Sequence, residues 1–271
     1  MTSTKEIMEM ALNLSDFKHI PADSAIYFHG KNIRRVLFGI DAGVPELLIA
    51  KQYDYDAVIS HHPKGGSAII DFHKVFRRHV HQMVEAGVPK HEAEIATRNK
   101  MKAIEVEMHT KNYGHAVDVA RILEMPYMNI HTPLDELGRR IMSQKIAKAK
   151  EYSTVKDIVS LLYQLPEFAK SETKIQIHIG DPANTAGNTI VSHGAGTNGG
   201  YEIAKTYFKY GVDTLIYIHV SPGDLEKLKA DGSGNLIISG HIASDSVGIN
   251  PLITELENNG ILVSRIGIIP P

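Results

Sequence analysis

The sequence contains no cysteine among its 271 residues. This absence excludes disulfide bonds, thiolate nucleophiles and the common structural zinc motifs that are built on cysteine. Any metal ion would therefore have to be bound through nitrogen and oxygen atoms. The 15 histidines supply enough nitrogen, and histidine combined with carboxylates favours Zn, Fe, Mn, Co or Ni over Ca or Cu(I).

The sequence also lacks an excess of charge of either sign and lacks long apolar runs. Its formal net charge is −2, which gives no general attraction to nucleic acid or to an anionic membrane. No apolar run reaches the length of about 18 residues that a membrane span needs, and no basic region followed by an apolar core opens the chain. With 43% apolar and 22% charged residues, we expect a globular cytoplasmic enzyme or binding protein that binds neither nucleic acid nor membrane.

Short apolar segments of strand length alternate with segments of helical periodicity. The first such set is a strand at 35–40, a helix from 45 to about 53 and a second strand at 55–60. Pro45 suits the first turn of that helix, where its missing N–H costs nothing. Strand, glycine-containing loop, helix and strand form a βαβ unit.

The same alternation over the whole chain predicts an α/β fold with two similar lobes and layered sheets. We place the first lobe at residues 1–150, including a mainly helical and charged segment at about 67–130. Within that segment, residues 104–108 are a candidate strand. The second lobe is placed at residues 151–271, and roughly 150 residues per domain is an ordinary size.

Two adjacent histidines, His61 and His62, directly follow a buried strand that ends at Ser60. On regular strand backbone their side chains would point to opposite faces of the sheet. Beyond the end of the strand this alternation relaxes, so two neighbouring imidazoles can reach one polar site or two nearby metal ions. The alternative is a structural pair that is hydrogen-bonded to backbone carbonyl groups. Further ligands elsewhere in the chain decide between these interpretations.

An internal repeat relates the two halves of the sequence. In each half, a strand, a glycine-containing loop, a helix and a second strand precede histidine, and the second half has His219 in this place. Each half then has a short strand that ends in His-x-x-x-Asp, which runs from His131 to Asp135 and from His241 to Asp245. The repeat predicts two units of similar topology, with histidine and aspartate at matching strand ends.

These residues are suited to bind metal together. Histidine and aspartate four residues apart lie on one face when the turn after the strand is helical. Three imidazoles and two carboxylates exceed the need of one catalytic ion and fit two ions bridged by carboxylate oxygen and water. The predicted metal ligands are His61, His62, Asp135, His241 and Asp245. Alternatively, Asp135 and Asp245 are helix N-caps. His131 is either a further ligand or a residue that orients Asp135, and we favour the second interpretation.

The segment Gly194-x-Gly196-x-x-Gly199 has the spacing of a dinucleotide-binding fingerprint. That fingerprint also requires an acidic residue at the end of the next strand, whereas Asp213 lies at its beginning. We therefore interpret the loop as a tight turn whose backbone amides at Gly194 and Gly196 bind a substrate phosphate or carboxylate. His193 beside it is a candidate substrate contact or a core histidine.

Taken together, these motifs resemble those of the NIF3-like family, whose members are also called dinuclear metal centre proteins and are sometimes labelled type 2 GTP cyclohydrolase I. The resemblance runs from about residue 36 to residue 269. The matching motifs are Gly39-Ile40-Asp41-Ala42, Ile59-Ser60-His61-His62-Pro63, His131-Thr132-Pro133-Leu134-Asp135, Gly194-Ala195-Gly196 and Gly240-His241-Ile242-Ala243-Ser244-Asp245.

The resemblance implies two divalent ions, Zn, Fe, Mn or Co, held by the five predicted ligands, and a toroidal homo-hexamer. Family members usually have Glu where this chain has Asp245, and the segment at 67–130 matches no family motif. We expect a metal-dependent hydrolase that acts on a small phosphate- or carboxylate-bearing substrate such as a nucleotide. No side chain is predicted as the nucleophile. The alternative is a metal-binding regulatory or scaffold protein whose ring binds a partner without turnover.

Overall fold

The computed structural model describes residues 2–271, and within them the chain forms nine β-strands and twelve α-helices. The strands are β1 (Ala25–Phe28), β2 (Arg35–Gly39), β3 (Ala57–Ser60), β4 (Tyr127–Asn129), β5 (Gln176–Ile179), β6 (Thr189–Val191), β7 (Thr214–Tyr217), β8 (Asn235–Ile238) and β9 (Leu262–Ile266). They lie in two separate sheets. The predicted α/β class is therefore confirmed.

Helices precede, follow and separate these strands. They are α1 (Thr4–Leu14), α2 (Val44–Gln52), α3 (Gly66–Ile70), α4 (Arg78–Glu85), α5 (Lys90–Met108), α6 (His115–Ile122), α7 (Thr132–Ile146), α8 (Val155–Leu162), α9 (Pro166–Lys170), α10 (Gly200–Lys209), α11 (Pro222–Asp231) and α12 (His241–Asn258), with a 3₁₀ helix at Phe72–Arg77. No helix within residues 2–271 is long and apolar enough to cross a membrane.

The described residues divide into two compact units that are discontinuous in sequence. Unit 1 comprises residues up to 75, residues 103–137 and residues 248–268, and unit 2 comprises the remainder. The limits between the units fall inside the 3₁₀ helix, α5, α7 and α12, and after β9. The sequence-based division at about residue 150 stays a prediction.

Unit 1 contains a five-stranded sheet in the order β1-β4-β3-β2-β9. Every neighbouring pair is parallel except β1 and β4, which are antiparallel with an irregular register. Alternate side chains of β2 enter opposite cores, as expected for a strand that is covered on both faces. Phe38 packs in the core formed with α1 and the second part of α12. Leu37 packs on the opposite face with α2 and α6.

Unit 2 contains a four-stranded sheet in the order β5-β8-β7-β6. β6, β7 and β8 are parallel, and β5 is antiparallel to β8, again with an irregular register. Four strands of unit 1, in the order β1-β4-β3-β2, have the same arrangement. The predicted repeat is therefore confirmed in topology. One face of this sheet packs with α8 and the first part of α12 through side chains that include Ile216, Ile237 and Val247.

Three local differences from the sequence-based assignment have physical reasons. The candidate strand at 104–108 lies inside α5, where Ile104 is buried and its neighbours Glu105 and Val106 are exposed, as on an amphipathic helix. Strand β1 was not predicted, because all four of its side chains are only partly buried and their pattern does not alternate. The sequence predicts the last helix only around Pro251 to Asn258, whereas the helix begins at His241 and contains Pro251 in its interior.

Truncation of Leu252 tests the core of unit 1. This side chain is 0% exposed, and removing a buried leucine side chain costs about 2–5 kcal/mol. We expect Leu252→Ala to lower the free energy of unfolding by an amount in that range, measured by urea denaturation. Leu262→Ala is the matched control because Leu262 is 69% exposed, and we expect a loss below about 0.5 kcal/mol. Equal losses in the two variants would contradict the packing described above.

Candidate metal centre

His61 and His62 lie side by side at the carboxyl end of β3. The amide N–H groups of both residues still donate along β2, to the carbonyl groups of Gly39 and Ile40, each at 2.9 Å. The hydroxyl of Ser60 donates to the carbonyl of His62 at 2.8 Å, which turns the chain here. As a result the two imidazole rings are 5.2 Å apart between centroids rather than on opposite faces.

Asp135 is brought to this pair by the neighbouring strand. β4 is parallel to β3 and leads into α7, and the amide of Asp135 donates to the carbonyl of His131 within the first turn. The carboxylate oxygens of Asp135 lie 3.0 Å from Nε2 of His61 and 3.5 Å from Nε2 of His131. Asp135 stands inside α7 rather than before it, so the N-cap alternative is wrong for this residue.

All three rings in unit 1 are held through the same nitrogen, Nδ1. The three contacts are His61 with the carbonyl of Ile130 at 2.9 Å, His62 with Asp41 at 2.9 Å and His131 with Asp23 at 2.7 Å. Metal-binding histidines characteristically donate one ring N–H to a carbonyl or carboxylate, which fixes the ring and leaves the other nitrogen to coordinate. The contacts therefore leave Nε2 of each ring as the nitrogen that could coordinate an ion.

The donor set and its spacing fit a divalent ion. One ring nitrogen from each of His61, His62 and His131 lies within 4.8 Å of the others. Two ligand atoms at about 2.0–2.1 Å from an ion are about 3.0 Å apart at a right angle and about 3.4 Å apart in a tetrahedron. The distances of 3.0 and 3.5 Å from Asp135 to the two rings match these values. The buried cluster is suited to hold a metal through nitrogen and oxygen.

Local charges favour a cation in the cluster. Burial lowers the pKa of His131, but the carboxylates of Asp135 and Asp23 outweigh this and raise it above its usual value. Asp23 is fully buried and also accepts a hydrogen bond from the Thr132 hydroxyl at 2.6 Å. The Phe72 ring stacks on His131 at 5.8 Å and shelters it.

Asp41 is a second anchoring carboxylate, at the edge of the cluster. The hydrogen bond from the His62 ring, followed by that from the Lys64 ammonium, holds the pKa of Asp41 well below its usual range. The Lys64 ammonium lies 2.7 Å from the same carboxylate oxygen as His62. Asp41 therefore stays ionised and fixes the His62 ring at neutral pH.

Unit 2 contains the matching pair His241 and Asp245. Nε2 of His241 lies 3.2 Å from a carboxylate oxygen of Asp245, and the Asp245 side chain is 2% exposed. Helix α12 begins at His241, so Asp245 lies in its second turn. The N-cap alternative is therefore wrong here too. The ring of His219 lies 4.7 Å from that of His241.

The glycine-rich loop joins β6 to α10 and is tied to α4 by its carbonyl groups. Arg78 donates to the carbonyl of Gly194, and Gln82 donates to that of His193, each at 2.6 Å. Gly194 and Gly196 have φ angles of 73° and 84°, which glycine adopts without strain. The His193 side chain is buried. The substrate-binding role of these residues stays a prediction.

Several residues that restrain histidine rings within each unit were not predicted from the sequence. Asp41 lies in a motif that carried the family resemblance, but nothing in the sequence indicated its contact with His62. No sequence pattern marks Asp23, because it lies in a loop 108 residues from His131, the histidine that it holds. Lys100 and Asn198 in unit 2 were also not singled out. Such partners are defined by tertiary contacts that neither spacing nor periodicity reveals.

The fold and the cluster define a two-unit α/β protein with a buried histidine–carboxylate group that is suited to divalent metal. Comparison with family models and with curated proteins gives no match. Among solved structures, a NIF3 superfamily protein from Sphaerobacter thermophilus is 45% identical, with a TM-score of 0.96 over 98% of each chain. The chain therefore belongs to the NIF3 superfamily.

More distant structures share the fold alone. HcgD from Methanocaldococcus jannaschii, in its reduced form, is 11% identical over 97% of each chain with a TM-score of 0.59. The Staphylococcus aureus hypothetical protein SA1388 is 14% identical over 98% of this chain and 97% of that one, with a TM-score of 0.55. The predicted family and fold are thus confirmed.

Replacing the anchor of His131 tests the role of the buried carboxylate. Asp23→Asn keeps an oxygen that accepts from the ring but removes the negative charge. Loss of such an anchoring partner typically lowers metal affinity about 10–100-fold. We expect a decrease in that range, measured by competition with a chromophoric chelator. Asp118→Asn, on an exposed ion pair with Arg121, is the control and should leave affinity unchanged. Unchanged affinity in Asp23→Asn would refute the anchoring role.

Proposed function

We propose that this protein is a dinuclear metal-dependent hydrolase that acts on a small phosphate- or carboxylate-bearing substrate such as a nucleotide. Two divalent ions, Zn, Fe, Mn or Co, are held in this proposal by His61, His62, Asp135, His241 and Asp245. His131 joins them as a ligand, because its Nδ1 is anchored by Asp23 in the same way as the Nδ1 atoms of its neighbours are anchored. This revises its interpretation as a residue that only orients Asp135.

One observation carries the proposal. Three imidazoles are each held at Nδ1 by a separate acceptor, and their ring nitrogens converge to within 4.8 Å around a buried carboxylate. A histidine with only a structural role needs one hydrogen bond of this kind, and one isolated histidine held in this way is common. Three convergent rings with the same nitrogen restrained are typical of ligands that are prepared before the metal arrives.

The chemistry follows from this donor set. When bound, the two ions would supply the acidification of a water molecule and the polarisation of a phosphoryl or carbonyl oxygen. Asp135 faces His61 and His131 with different oxygens, which suits a carboxylate that serves more than one partner. Phe72 covers one side of His131 and limits the access of bulk water. The backbone at Gly194 and Gly196, with His193, is the proposed place for the anionic group of the substrate.

The resemblance to the family also supports the proposal of a cytoplasmic, ring-shaped homo-hexamer. Sedimentation velocity on the purified chain tests the oligomeric state. A monomer at micromolar concentration would contradict it.

Metal content and turnover test the proposed function together. We expect the purified, metal-loaded protein to contain about two ions per chain and to hydrolyse at least one member of a panel of phosphoesters, nucleotides and cyclic amides. His62→Ala and Asp135→Ala should each reduce the metal content to one ion or fewer and abolish this turnover, because each removes a ligand. Elemental analysis and a product assay provide the two readouts.

His109→Ala is the matched control, since His109 is exposed at the end of α5 and should change neither quantity. Unchanged metal content in both ligand variants would refute the metal assignment. Two ions per chain with no turnover on the whole panel would refute the hydrolase and favour a metal-binding regulatory or scaffold protein.

A further inference from the structure

A line of polar side chains in unit 2 runs from Lys100 through Asn198 to His219. The ammonium of Lys100 lies 3.2 Å from Oδ1 of Asn198, and the amide N–H of Gly200 donates to the same oxygen at 3.1 Å. Both groups are donors only, so the atom that faces them must be the amide oxygen. This orientation places the Asn198 amide nitrogen 2.8 Å from Nδ1 of His219.

The orientation of Asn198 decides which nitrogen of His219 carries the proton. An amide NH₂ group donates and cannot accept, so Nδ1 of His219 must be the acceptor. A neutral imidazole then carries its hydrogen on Nε2. Lys100 and Gly200 therefore influence His219 without contacting it. They fix the orientation of the Asn198 amide, and that orientation fixes the tautomer of His219.

The position of Lys100 maintains the orientation of the Asn198 amide. Its ammonium lies over Gly200, where a Cβ atom would come within 2.7 Å of Nζ, so a side chain there would displace it. The Lys100 side chain is 30% exposed, and the carboxylate of Asp224 is 3.9 Å from its ammonium. The lysine is therefore restrained on several sides rather than extended into solvent.

His219 lies beside the metal ligands but is not prepared to be one. Its ring is 4.7 Å from that of His241, with an angle of 55° between the planes. The lone pair of Nδ1 is used by Asn198, and Nε2 carries the hydrogen, so neither nitrogen is suited to coordinate. The roles of the two nitrogens are thus the reverse of those in the unit 1 rings, where Nδ1 carries the hydrogen and Nε2 presents its lone pair. His219 instead presents a neutral N–H donor next to the centre.

We propose that Lys100 and Asn198 are positioning residues that hold His219 in its Nε2–H tautomer, and that His219 binds an anionic phosphate or carboxylate oxygen of the substrate through this N–H. A neutral imidazole that donates to a developing negative charge is an established catalytic use of histidine. The substrate contact rests on the proposed function, whereas the tautomer rests only on contacts within unit 2.

The tautomer is tested directly by ¹⁵N NMR of protein labelled at its histidine rings, in the zinc-loaded form. We expect the His219 signals, assigned by their absence in His219→Gln, to show a protonated Nε2. Asn198→Asp is isosteric, but its carboxylate only accepts, so the proton should move to Nδ1. Lys205→Met, an exposed lysine on α10, is the control and should leave the pattern unchanged. A protonated Nδ1 in the unsubstituted protein, or no change in Asn198→Asp, would overturn the proposal.

The substrate contact is tested by titration calorimetry with inorganic phosphate on the same zinc-loaded protein. A hydrogen bond to a charged group corresponds to about 10–100-fold in affinity. We expect His219→Phe to bind phosphate more weakly by a factor in that range, while His219→Gln, which keeps an N–H donor, retains most of the affinity. Equal phosphate affinity in His219→Phe and the unsubstituted protein would overturn the contact.

Metal analysis of each sample separates this proposal from the proposed function. The His219 variants should hold as many ions as the unsubstituted protein, and a loss of metal in His219→Phe would show that His219 is a ligand and overturn the proposal. If the unsubstituted protein itself held no metal, the proposed function would fail, and the NMR measurement would still decide the tautomer.

Discussion

An imidazole ring has two nitrogens, and fixing the role of one decides the role of the other. The structure applies this constraint at four histidines, three in unit 1 and one in unit 2. In unit 1, acceptors hold Nδ1 of His61, His62 and His131 and leave Nε2 to face the cluster. In unit 2, a donor from Asn198 holds Nδ1 of His219, which reverses its chemistry. Different neighbours thus give one residue type the two proposed roles, metal ligand and substrate donor.

Burying imidazole and carboxylate groups together costs free energy unless a cation compensates their charge and lone pairs. His61 is 0% exposed and Asp135 is 3% exposed, and an uncompensated buried charge costs several kcal/mol. The raised pKa of His131 shows that the surrounding carboxylates favour positive charge at this place. A proton supplies that charge in part, whereas a divalent ion satisfies several donors at once. Parallel strands β3 and β4 make the cluster possible because their carboxyl ends are neighbours.

Much of the fold and several of the candidate site residues were predictable from the sequence. The residues that were not predictable escaped prediction for one common reason. The strand ends before His61 and His131 and the repeat itself have local signatures in apolar runs and spacing. By contrast, Asp23 holds a histidine 108 positions away, and the orientation of Asn198 is set by Lys100, 98 positions earlier. Contacts of this kind leave no periodicity, so only the folded structure reveals which polar residues restrain the rings.

The central claim is that the unit 1 rings bind metal through Nε2 because Nδ1 is already engaged. A crystal structure of the zinc-loaded protein, with anomalous differences measured at the zinc edge, tests this most directly. The account predicts a peak about 2.0–2.1 Å from Nε2 of His61 and of His62, and within about 2.2 Å of a carboxylate oxygen of Asp135. A peak bonded to Nδ1 of either ring, or zinc bound only outside this cluster, would contradict it.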